Sequence, residues 1–421
     1  MWRNPMRAMR TAAETDSPFA RVEVGPFRCF ILTDPEIAAR ALNGSGLLFR
    51  RTPDLAFWFQ PAGQGVASSP HEKWVRQRRL LAPFFKASAE ADLSRITASE
   101  SDRLCETIAG RKDAFDLQAE VMETTLRIAV QHLLVRPFPG DSAPVCAAIQ
   151  TAMHHATPVK AIRYRFLSLV NRGLARRLRH LAPEREALQV LHGFIDRIID
   201  TARERPQDRA PLLNALMEAD AAGELDPGEL RDQVATFLVA AVDSVGSAIV
   251  WTLWQLAQRP DAAGKAASSD LWAEASVLES MRLVPPLWMY RRDIQEEHEL
   301  AGQAFRKGDI LLFVPYVVHM RSEYWPNPDA FDPSRFVDEG AIRGDTDFSY
   351  MPFGHGPHAC LGRRMAMAES RTVVRTLLRR FELRLDEQTR RNGADPAKIR
   401  VAVLMKGGLW VQAEARHESA Y

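Results

Sequence analysis

Residues 353–362 read FGHGPHACLG and lead directly into an amphipathic stretch. The glycines on either side of Cys360 let the backbone approach a large flat group, because they carry no side chain. Cys360 precedes a helix predicted to run from Leu361 to about Phe381, and the N-terminal end of a helix favours a thiolate over a thiol. A thiolate placed there can bind haem iron as an axial ligand. Taken alone, the segment is also typical of a glycine-rich loop around a buried structural cysteine.

The complete spacing resembles the haem-binding loop of the cytochrome P-450 family, Phe-Gly-x-Gly-x-(Arg/His)-x-Cys-x-Gly, and every fixed position is filled here. The resemblance covers about residues 74–408, and two strand-like runs near the N-terminus, Ala20–Val24 and Arg28–Leu32, fit it as well. It implies a mostly α, single-domain cytochrome P-450 fold over residues 1–421, a helical bundle around a buried haem with small β-sheets. It further implies haem b (iron protoporphyrin IX) as the cofactor and Cys360 as the ligand of its iron.

A second signature lies on a helix predicted for Leu271–Leu283, where Glu279 and Arg282 are spaced to share one face. Alone, such a pair is typical of a surface ion pair. The family carries Glu-x-x-Arg on this helix and takes a third partner from a later Pro-rich segment. The sequence FDPSRF at 331–336 supplies that segment about 25 residues before Cys360. The resemblance therefore implies a buried network of Glu279, Arg282 and Arg335 that supports folding and shapes the haem pocket.

The sequence DPGE at 226–229 is typical of a capping box, with Asp226 as N-cap, and predicts a helix of about 32 residues that reaches Arg259. Few single domains need so long and so apolar a helix, whereas a helix that crosses a buried cofactor does.

Asp243 and Ser244 lie side by side in the middle of this helix. An Asp/Ser pair satisfied by the backbone is the alternative. The family places a small-Gly-x-(Asp/Glu)-Thr motif here, over the distal haem face, for oxygen binding and proton delivery, so Asp243 and Ser244 are the predicted catalytic residues. Ala241 replaces the usual Gly and Ser244 the usual Thr. Serine keeps the hydroxyl but lacks the methyl that limits its rotamers, so we expect looser positioning of the proton path.

Four residues are predicted to bind the haem propionates. Trp74 and Arg78, at i and i+4, share a helix face and match the Trp-x-x-x-Arg pattern of the family. Arg292 lies ten residues past the arginine of Glu-x-x-Arg, where the family has a propionate-binding arginine. Arg291 remains the alternative, because strand alternation sends one of the two inward and the other outward. His358 is the fourth candidate. Each could also be a solvated surface group, but together they would compensate a buried dianion.

Substrate-facing positions follow only by analogy with the family. They are Phe57, Trp58, Thr236, Val239, Ala240, Leu287, Trp288 and Leu409. An aromatic lining suits an apolar or aromatic small molecule, although core packing explains the same residues nearly as well.

Composition sets outer limits on the function. The chain has 421 residues, 46% of them hydrophobic and 26% charged, with a net charge of +2, so bulk electrostatics point neither to nucleic acid nor to an anionic membrane. The four cysteines are too few and too scattered for a disulfide scaffold or a zinc site, and reduced thiols predict a cytoplasmic location. We expect neither a signal peptide nor a membrane anchor, because no apolar run approaches about 18 residues. The Arg and Ala bias suits a bacterial genome.

No glycine-rich dinucleotide-binding motif follows a strand, so we expect electrons to come from separate proteins, a ferredoxin and its reductase. A docking face is predicted from a group of arginines, unless arginine is merely the common surface cation here: Arg76, Arg79, Arg363, Arg364 and Arg371.

The main hypothesis is an O2-activating monooxygenase of a small lipophilic or aromatic metabolite, in bacterial secondary-metabolite biosynthesis. The alternative is oxidative cyclisation or coupling by the same haem chemistry without oxygen insertion. A non-catalytic haem-binding protein is a third hypothesis, which the pair Asp243–Ser244 disfavours because a carrier needs no proton relay.

Overall fold

The computed structural model describes residues 9, 11–24, 27–43, 49–50, 63–86, 90–154, 182–342, 348–392, 398–399, 403–405 and 407–416. Two compact units are present. The first unit comprises Met1–Thr52, Ser101–Gln118 and Ser247–Tyr421, and the second unit comprises Pro53–Glu100 and Ala119–Gly246. That residues 1–421 form a single domain remains a prediction.

Helices dominate the described part of the chain, as expected for a mostly α fold. In chain order they are α1 (Pro35–Asn43), α2 (His71–Leu81), α3 (Glu90–Ala109), α4 (Leu117–Leu133), α5 (Ala143–His154), α6 (Ala182–Glu204), α7 (Pro211–Ala221), α8 (Glu229–Ala257), α9 (Pro260–Ser268), α10 (Asp270–Leu283), α11 (Pro315–His319), α12 (Arg363–Arg380) and α13 (Glu387–Asn392).

The described strands are short and all belong to the first unit. They are β1 (Phe19–Val24), β2 (Phe27–Leu32), β3 (Phe49–Arg50), β4 (Phe115–Asp116), β5 (Tyr290–Ile294), β6 (His298–Leu300), β7 (Gln303–Phe305), β8 (Ile310–Phe313), β9 (Val337–Asp338), β10 (Ala341–Ile342), β11 (Phe381–Leu385), β12 (Lys398–Ile399), β13 (Val403–Leu404) and β14 (Trp410–Ala415). The largest sheet has the order β1-β2-β8-β5-β3, and a second has the order β11-β14-β4. Three further strand pairs are β6–β7, β9–β10 and β12–β13.

The two strand-like runs near the N-terminus form a hairpin at the edge of the largest sheet. β1 and β2 pair antiparallel from Phe19↔Leu32 to Val24↔Phe27, and β2 then pairs parallel with β8. Phe30 stacks edge-on against Phe305 at 4.9 Å in an apolar cluster that also contains Met351. After β2 the sequence DPE at 34–36 starts α1, and Asp34 Oδ1 accepts a 2.9 Å hydrogen bond from the N–H of Ile37 in its first turn.

The long helix α8 begins later than its capping box predicts. Gly228 has φ +82°, a left-handed conformation that cannot continue into a helix, so the first helical residue is Glu229. One half of the predicted box is present, because Glu229 Oε2 accepts from the N–H of Asp226 at 3.0 Å. The helix has 29 residues and a mean hydropathy of 1.8 over its most apolar window, of which 83% is buried inside the structure. Among the described helices it alone is long and apolar enough to span a membrane. A helix in the core of a protein, buried to this extent, has the same length and composition.

Candidate active site

Cys360 lies in a turn between a 3₁₀ helix, Gly356–His358, and the first residue of α12. The predicted helix start at Leu361 is wrong by two residues, because Gly362 occupies the N-cap position and helical residues begin at Arg363. The N–H of Cys360 donates to the carbonyl oxygen of Phe353 at 2.9 Å, which closes the loop of residues 353–360 on itself.

The four cysteines differ in exposure. Cys29, Cys105 and Cys146 are buried, whereas Cys360 is exposed. Burial raises the pKa of Cys105 to about 11 and also raises that of Cys146, so neither is suited to carry a thiolate. Cys360 is therefore the cysteine whose sulfur is accessible to a bound ligand.

Two glycines of the loop have conformations that other residues rarely adopt. Gly354 and Gly356 both have φ +70°. A Cβ on Gly356 would lie 2.7 Å from the carbonyl oxygen of Leu42, and one on Gly354 would lie 3.5 Å from the ring of Tyr290. The loop is consequently packed closely against α1 and β5.

The adjacent arginines of β5 have different surroundings. Arg291 donates to both carboxylate oxygens of Asp293, at 2.6 and 2.9 Å. Arg292 is buried, and the hydrogen bond of its guanidinium is to the carbonyl of Arg291 at 2.9 Å. No carboxylate of the described chain lies within ion-pair distance of Arg292, and burial lowers its pKa to about 10. Arg291 is thus already neutralised, whereas Arg292 is a buried cation that can accept an anion from outside the chain.

The remaining propionate candidates are His358, Trp74 and Arg78. His358 is half-buried in the first unit, as are the loop and β5. Trp74 and Arg78 lie together on α2 of the second unit, with the Arg78 guanidinium 5.7 Å from the centre of the buried Trp74 ring. His71 stacks on the same indole at 5.8 Å.

The middle of α8 presents a strip of small side chains. Ala240 is exposed and Ala241 and Ser244 are partly exposed, although the helix on either side is buried. Ser244 Oγ donates to the carbonyl of Ala240 at 2.6 Å. Asp243 is only 3% exposed and lies close enough to Cys146 that its charge raises the pKa of that thiol, after burial and Glu123. The two predicted catalytic side chains therefore lie on different faces of the helix, Ser244 on the strip and Asp243 in the interior.

The structure brings the three predicted network residues together. Glu279 and Arg282 are fully buried, and Arg282 donates from Nε and Nη2 to the two carboxylate oxygens at 2.8 Å each. Arg335 Nε lies 3.5 Å from Glu279 Oε1, which also accepts from the N–H of Asp332 at 3.0 Å. Burial raises the pKa of Glu279, and the hydrogen bonds from Arg282 act to lower it.

The predicted substrate positions are mostly enclosed by protein. Phe57 and Trp58 lie outside the described residues. Four others are buried: Thr236, Val239, Trp288 and Leu409. Leu287 is partly exposed and Ala240 is exposed. The Thr236 hydroxyl already donates to the carbonyl of Asp232 at 2.8 Å.

Two of the arginines predicted to dock a ferredoxin are engaged in ion pairs. Arg76 Nη2 lies 2.6 Å from Glu229 and 3.3 Å from Asp226, and Arg371 Nη1 lies 3.0 Å from Glu274. The other three are exposed: Arg79, Arg363 and Arg364.

Two residues of the site are absent from the sequence-based predictions. The Tyr290 hydroxyl donates to the carbonyl of Pro352 at 2.8 Å, and His319 Nε2 accepts from the N–H of Met351 at 3.1 Å. The period of two along a strand places Tyr290 on the same face as Arg292, a signal that could have indicated it. No sequence signal indicates His319.

Within the described residues, no three His, Cys, Asp or Glu side chains gather as a metal-ion site. A single exposed cysteine sulfur would suit an iron whose other ligands a porphyrin would supply.

Comparison with known proteins identifies the family to which the chain belongs. The family described as Cytochrome P-450 matches residues 1–267 and 272–409. Cyclooctatin synthase from Streptomyces melanosporofaciens is 26% identical over 407 residues, which cover 91% of this chain and 86% of that protein. Cyclooctat-9-en-7-ol 5-monooxygenase from the same organism is 26% identical over 412 residues, with the same coverage of both chains.

The fold is similar to that of a solved structure. A 6-coordinated cytochrome P-450 from Thermus thermophilus is 23% identical, covers 97% of this chain and 98% of its own, and superposes with a TM-score of 0.74. At this identity the likeness establishes the fold alone.

Proposed function

Since the chain belongs to the cytochrome P-450 family and is an oxidoreductase with a haem-iron cofactor, we propose that Cys360 is the residue that would bind the iron of a haem b through its sulfur. The observation that carries this proposal is the exposure of Cys360 at the end of its glycine loop while the other three cysteines are buried. An exposed cysteine sulfur just before a helix N-terminus is the kind of donor that haem-thiolate iron requires.

The surroundings of Arg292 fit the presence of a haem propionate. A buried guanidinium without a carboxylate is costly unless an anion reaches it, and a haem propionate is such an anion. Arg292, His358, Trp74 and Arg78 are the proposed propionate partners, as the family resemblance implies. When bound, the haem supplies reductive activation of O2.

Asp243 and Ser244 are the proposed proton carriers. Ser244 Oγ, on the open strip of α8, gives up its hydrogen bond to Ala240 by rotating about χ1, which serine does more readily than threonine. Asp243 carries a carboxylate in the interior of the second unit, on the other side of the helix. In the proposed relay Ser244 Oγ gives up a proton on the strip, and the Asp243 carboxylate takes up a proton from water and passes it to the serine oxygen.

Family members take their electrons from redox partners, and here we propose a ferredoxin and its reductase. Arg363 and Arg364 are exposed at the start of α12, three and four residues past Cys360. They offer positive charge close to the thiolate ligand for an acidic partner. We propose a cytoplasmic location.

The proposed substrate is a small lipophilic or aromatic metabolite of bacterial secondary metabolism. Two relatives support this choice by their names, cyclooctatin synthase and cyclooctat-9-en-7-ol 5-monooxygenase, at 26% identity. Ala240, which is exposed, and Ala241, which is partly exposed, add an apolar surface on α8 suited to such a compound.

The experiment combines a binding screen with isotope labelling. The haem-loaded protein is titrated with unsaturated cyclic alcohols and small aromatic metabolites, and compounds that change the haem spin state are then turned over with a ferredoxin system under isotopically labelled O2. Insertion of one labelled oxygen atom is the expected result. A product without label would establish cyclisation or coupling instead. Binding without turnover for every compound would favour a haem-binding protein and contradict the proposal.

A further inference from the structure

Residues 349–353 lead into the haem-binding loop, and we call them the lead-in segment. Each of the five makes a hydrogen bond to another part of the first unit. Trp325 Nε1 donates to the carbonyl of Ser349 at 3.3 Å. The Tyr350 hydroxyl donates to the carbonyl of Leu278 on α10 at 2.8 Å. At the far end, the carbonyl of Phe353 accepts the 2.9 Å hydrogen bond from the N–H of Cys360. Displacement of this segment is therefore passed directly to Cys360.

His319 holds Met351, the third residue of the lead-in segment. It is fully buried, and burial lowers its pKa to about 3, so the imidazole is neutral. Because a carbonyl only accepts, Nδ1–H donates to the carbonyl of Arg282 at 3.1 Å, which leaves Nε2 to accept from the Met351 N–H at 3.1 Å. The ring also stacks on Tyr350 at 5.1 Å. Arg282 Nη1 donates back to the carbonyl of His319 at 2.9 Å, so the two residues fix each other.

Tyr290 holds Pro352, the next residue. Proline has no N–H, so its carbonyl is the backbone group by which it can be held. The Tyr290 hydroxyl donates to that carbonyl at 2.8 Å, and its ring packs beside Gly354. Burial first, and then the nearby Cys360 charge, raise the pKa of the phenol, which keeps it a protonated donor.

We propose that Tyr290 and His319 are positioning residues that set the direction in which the Cys360 sulfur meets its iron. One holds the carbonyl of Pro352 and the other the N–H of Met351, so two consecutive residues are held from β5 and from α11. The Met351 side chain packs in the apolar cluster that also contains Phe30 and Phe305. Dispersion contacts are not directional, so this packing alone does not fix the orientation of the segment that leads to Cys360. This inference rests on the proposed function, in that Cys360 is taken as the ligand.

Four variants of the haem-loaded protein test the proposal. Tyr290→Phe removes the hydroxyl, with Tyr324→Phe as the matched control elsewhere in the first unit. His319→Leu removes both ring nitrogens, whereas His319→Gln places an amide oxygen where Nε2 accepts from Met351. The measurement is the ratio of red-shifted to unshifted Soret band in the reduced carbon monoxide complex, per haem bound, together with the haem reduction potential.

Tyr290→Phe and His319→Leu are expected to lower that ratio by roughly 3- to 10-fold, as for a lost hydrogen bond between neutral groups, and to shift the potential. His319→Gln should recover most of the ratio, and Tyr324→Phe should match wild type. A merely structural role would lower haem content or melting temperature without changing the ratio per haem, and that result overturns the inference. If Tyr290→Phe yields no holoprotein, the His319→Leu and His319→Gln pair decides alone. Absence of the red-shifted band in wild type would instead overturn the proposed function.

Discussion

Replacing Arg282 with alanine removes the partner of a carboxylate that has no access to solvent. Arg282 donates two 2.8 Å hydrogen bonds to Glu279, and neither side chain is exposed. It also donates to the carbonyls of His319 and Ala330, at 2.9 and 3.0 Å, and lies 5.3 Å over the ring of Trp325. The variant loses all of these contacts and leaves Glu279 buried.

The expected loss in free energy of unfolding is about 3–5 kcal/mol, the cost of breaking a buried ion pair by removing one partner. We expect the lower end of that range, because Arg335 Nε remains 3.5 Å from Glu279 and the Asp332 N–H still donates to it at 3.0 Å. Arg375 provides a matched control. Arg375, on α12, pairs at 2.8 Å with Asp270 of α10, the helix that also carries Glu279 and Arg282, but the two side chains are 31% and 59% exposed. Arg375→Ala should cost less than about 1 kcal/mol.

The difference between Arg282→Ala and wild type should also depend on pH. Burial raises the pKa of Glu279, and the hydrogen bonds of Arg282 oppose that rise, so the pKa in the variant is higher still. A group whose pKa is raised by folding stabilises the folded state at low pH and loses that contribution as pH rises through the folded pKa. The variant is therefore closest to wild type in acid, where its Glu279 is neutral, and falls further below wild type as pH rises.

The assay is urea unfolding of the haem-loaded proteins, followed by far-ultraviolet circular dichroism at pH values on either side of neutrality. Urea is uncharged and leaves the ion pairs unscreened. Glu279→Gln combined with Arg282→Ala should abolish the added pH dependence. If Arg282→Ala is as stable as Arg375→Ala, the network does not stabilise the fold and the reasoning is refuted.

Two further predictions concern the catalytic helix and β5. Asp243→Asn and Ser244→Ala should lower ferredoxin-driven turnover by ~10²–10⁴-fold and divert reducing equivalents to hydrogen peroxide, while the substrate-induced spectral shift persists. Ser244→Thr should remain active, and a Ser244→Ala variant with wild-type rate and coupling would remove Ser244 from the proton path. Arg292→Ala should lower haem content per chain, measured by absorbance, whereas Arg291→Ala should not, because Arg291 is paired with Asp293. Equal haem content in the two variants would contradict the assignment of Arg292.

Local patterns predict the elements of the fold better than their ends. The two N-terminal strands are confirmed as β1 and β2, because the pattern of a strand depends on residues close together in the sequence. The start of α8 is displaced because residue types alone do not reveal the left-handed conformation of Gly228. The start of α12 is displaced too, although Gly362 has a negative φ of −84°, because this glycine occupies the N-cap position and the first helical residue is Arg363.

Within the site, the sequence predicts residues that belong to motifs and misses those that bind backbone. Glu279 and Arg282 have a fixed spacing on one helix, and the family pattern adds Arg335. Tyr290 and His319 instead bind main-chain groups 62 and 32 residues away, and every residue type offers such groups. For β5, alternation predicts that Arg291 and Arg292 face opposite ways, but only the ion pair with Asp293 shows which of them is already neutralised.

The most direct test of the account is the reduced carbon monoxide spectrum of Cys360→Ala beside wild type. The account predicts one b-type haem and a red-shifted Soret band for wild type, because thiolate ligation produces that shift, and no such band for Cys360→Ala. Alanine substitutions at Cys29, Cys105 and Cys146 should leave the band in place, since these three thiols are buried. A red-shifted band that survives in Cys360→Ala, or that disappears with one of the other three cysteines instead, would contradict the central claim.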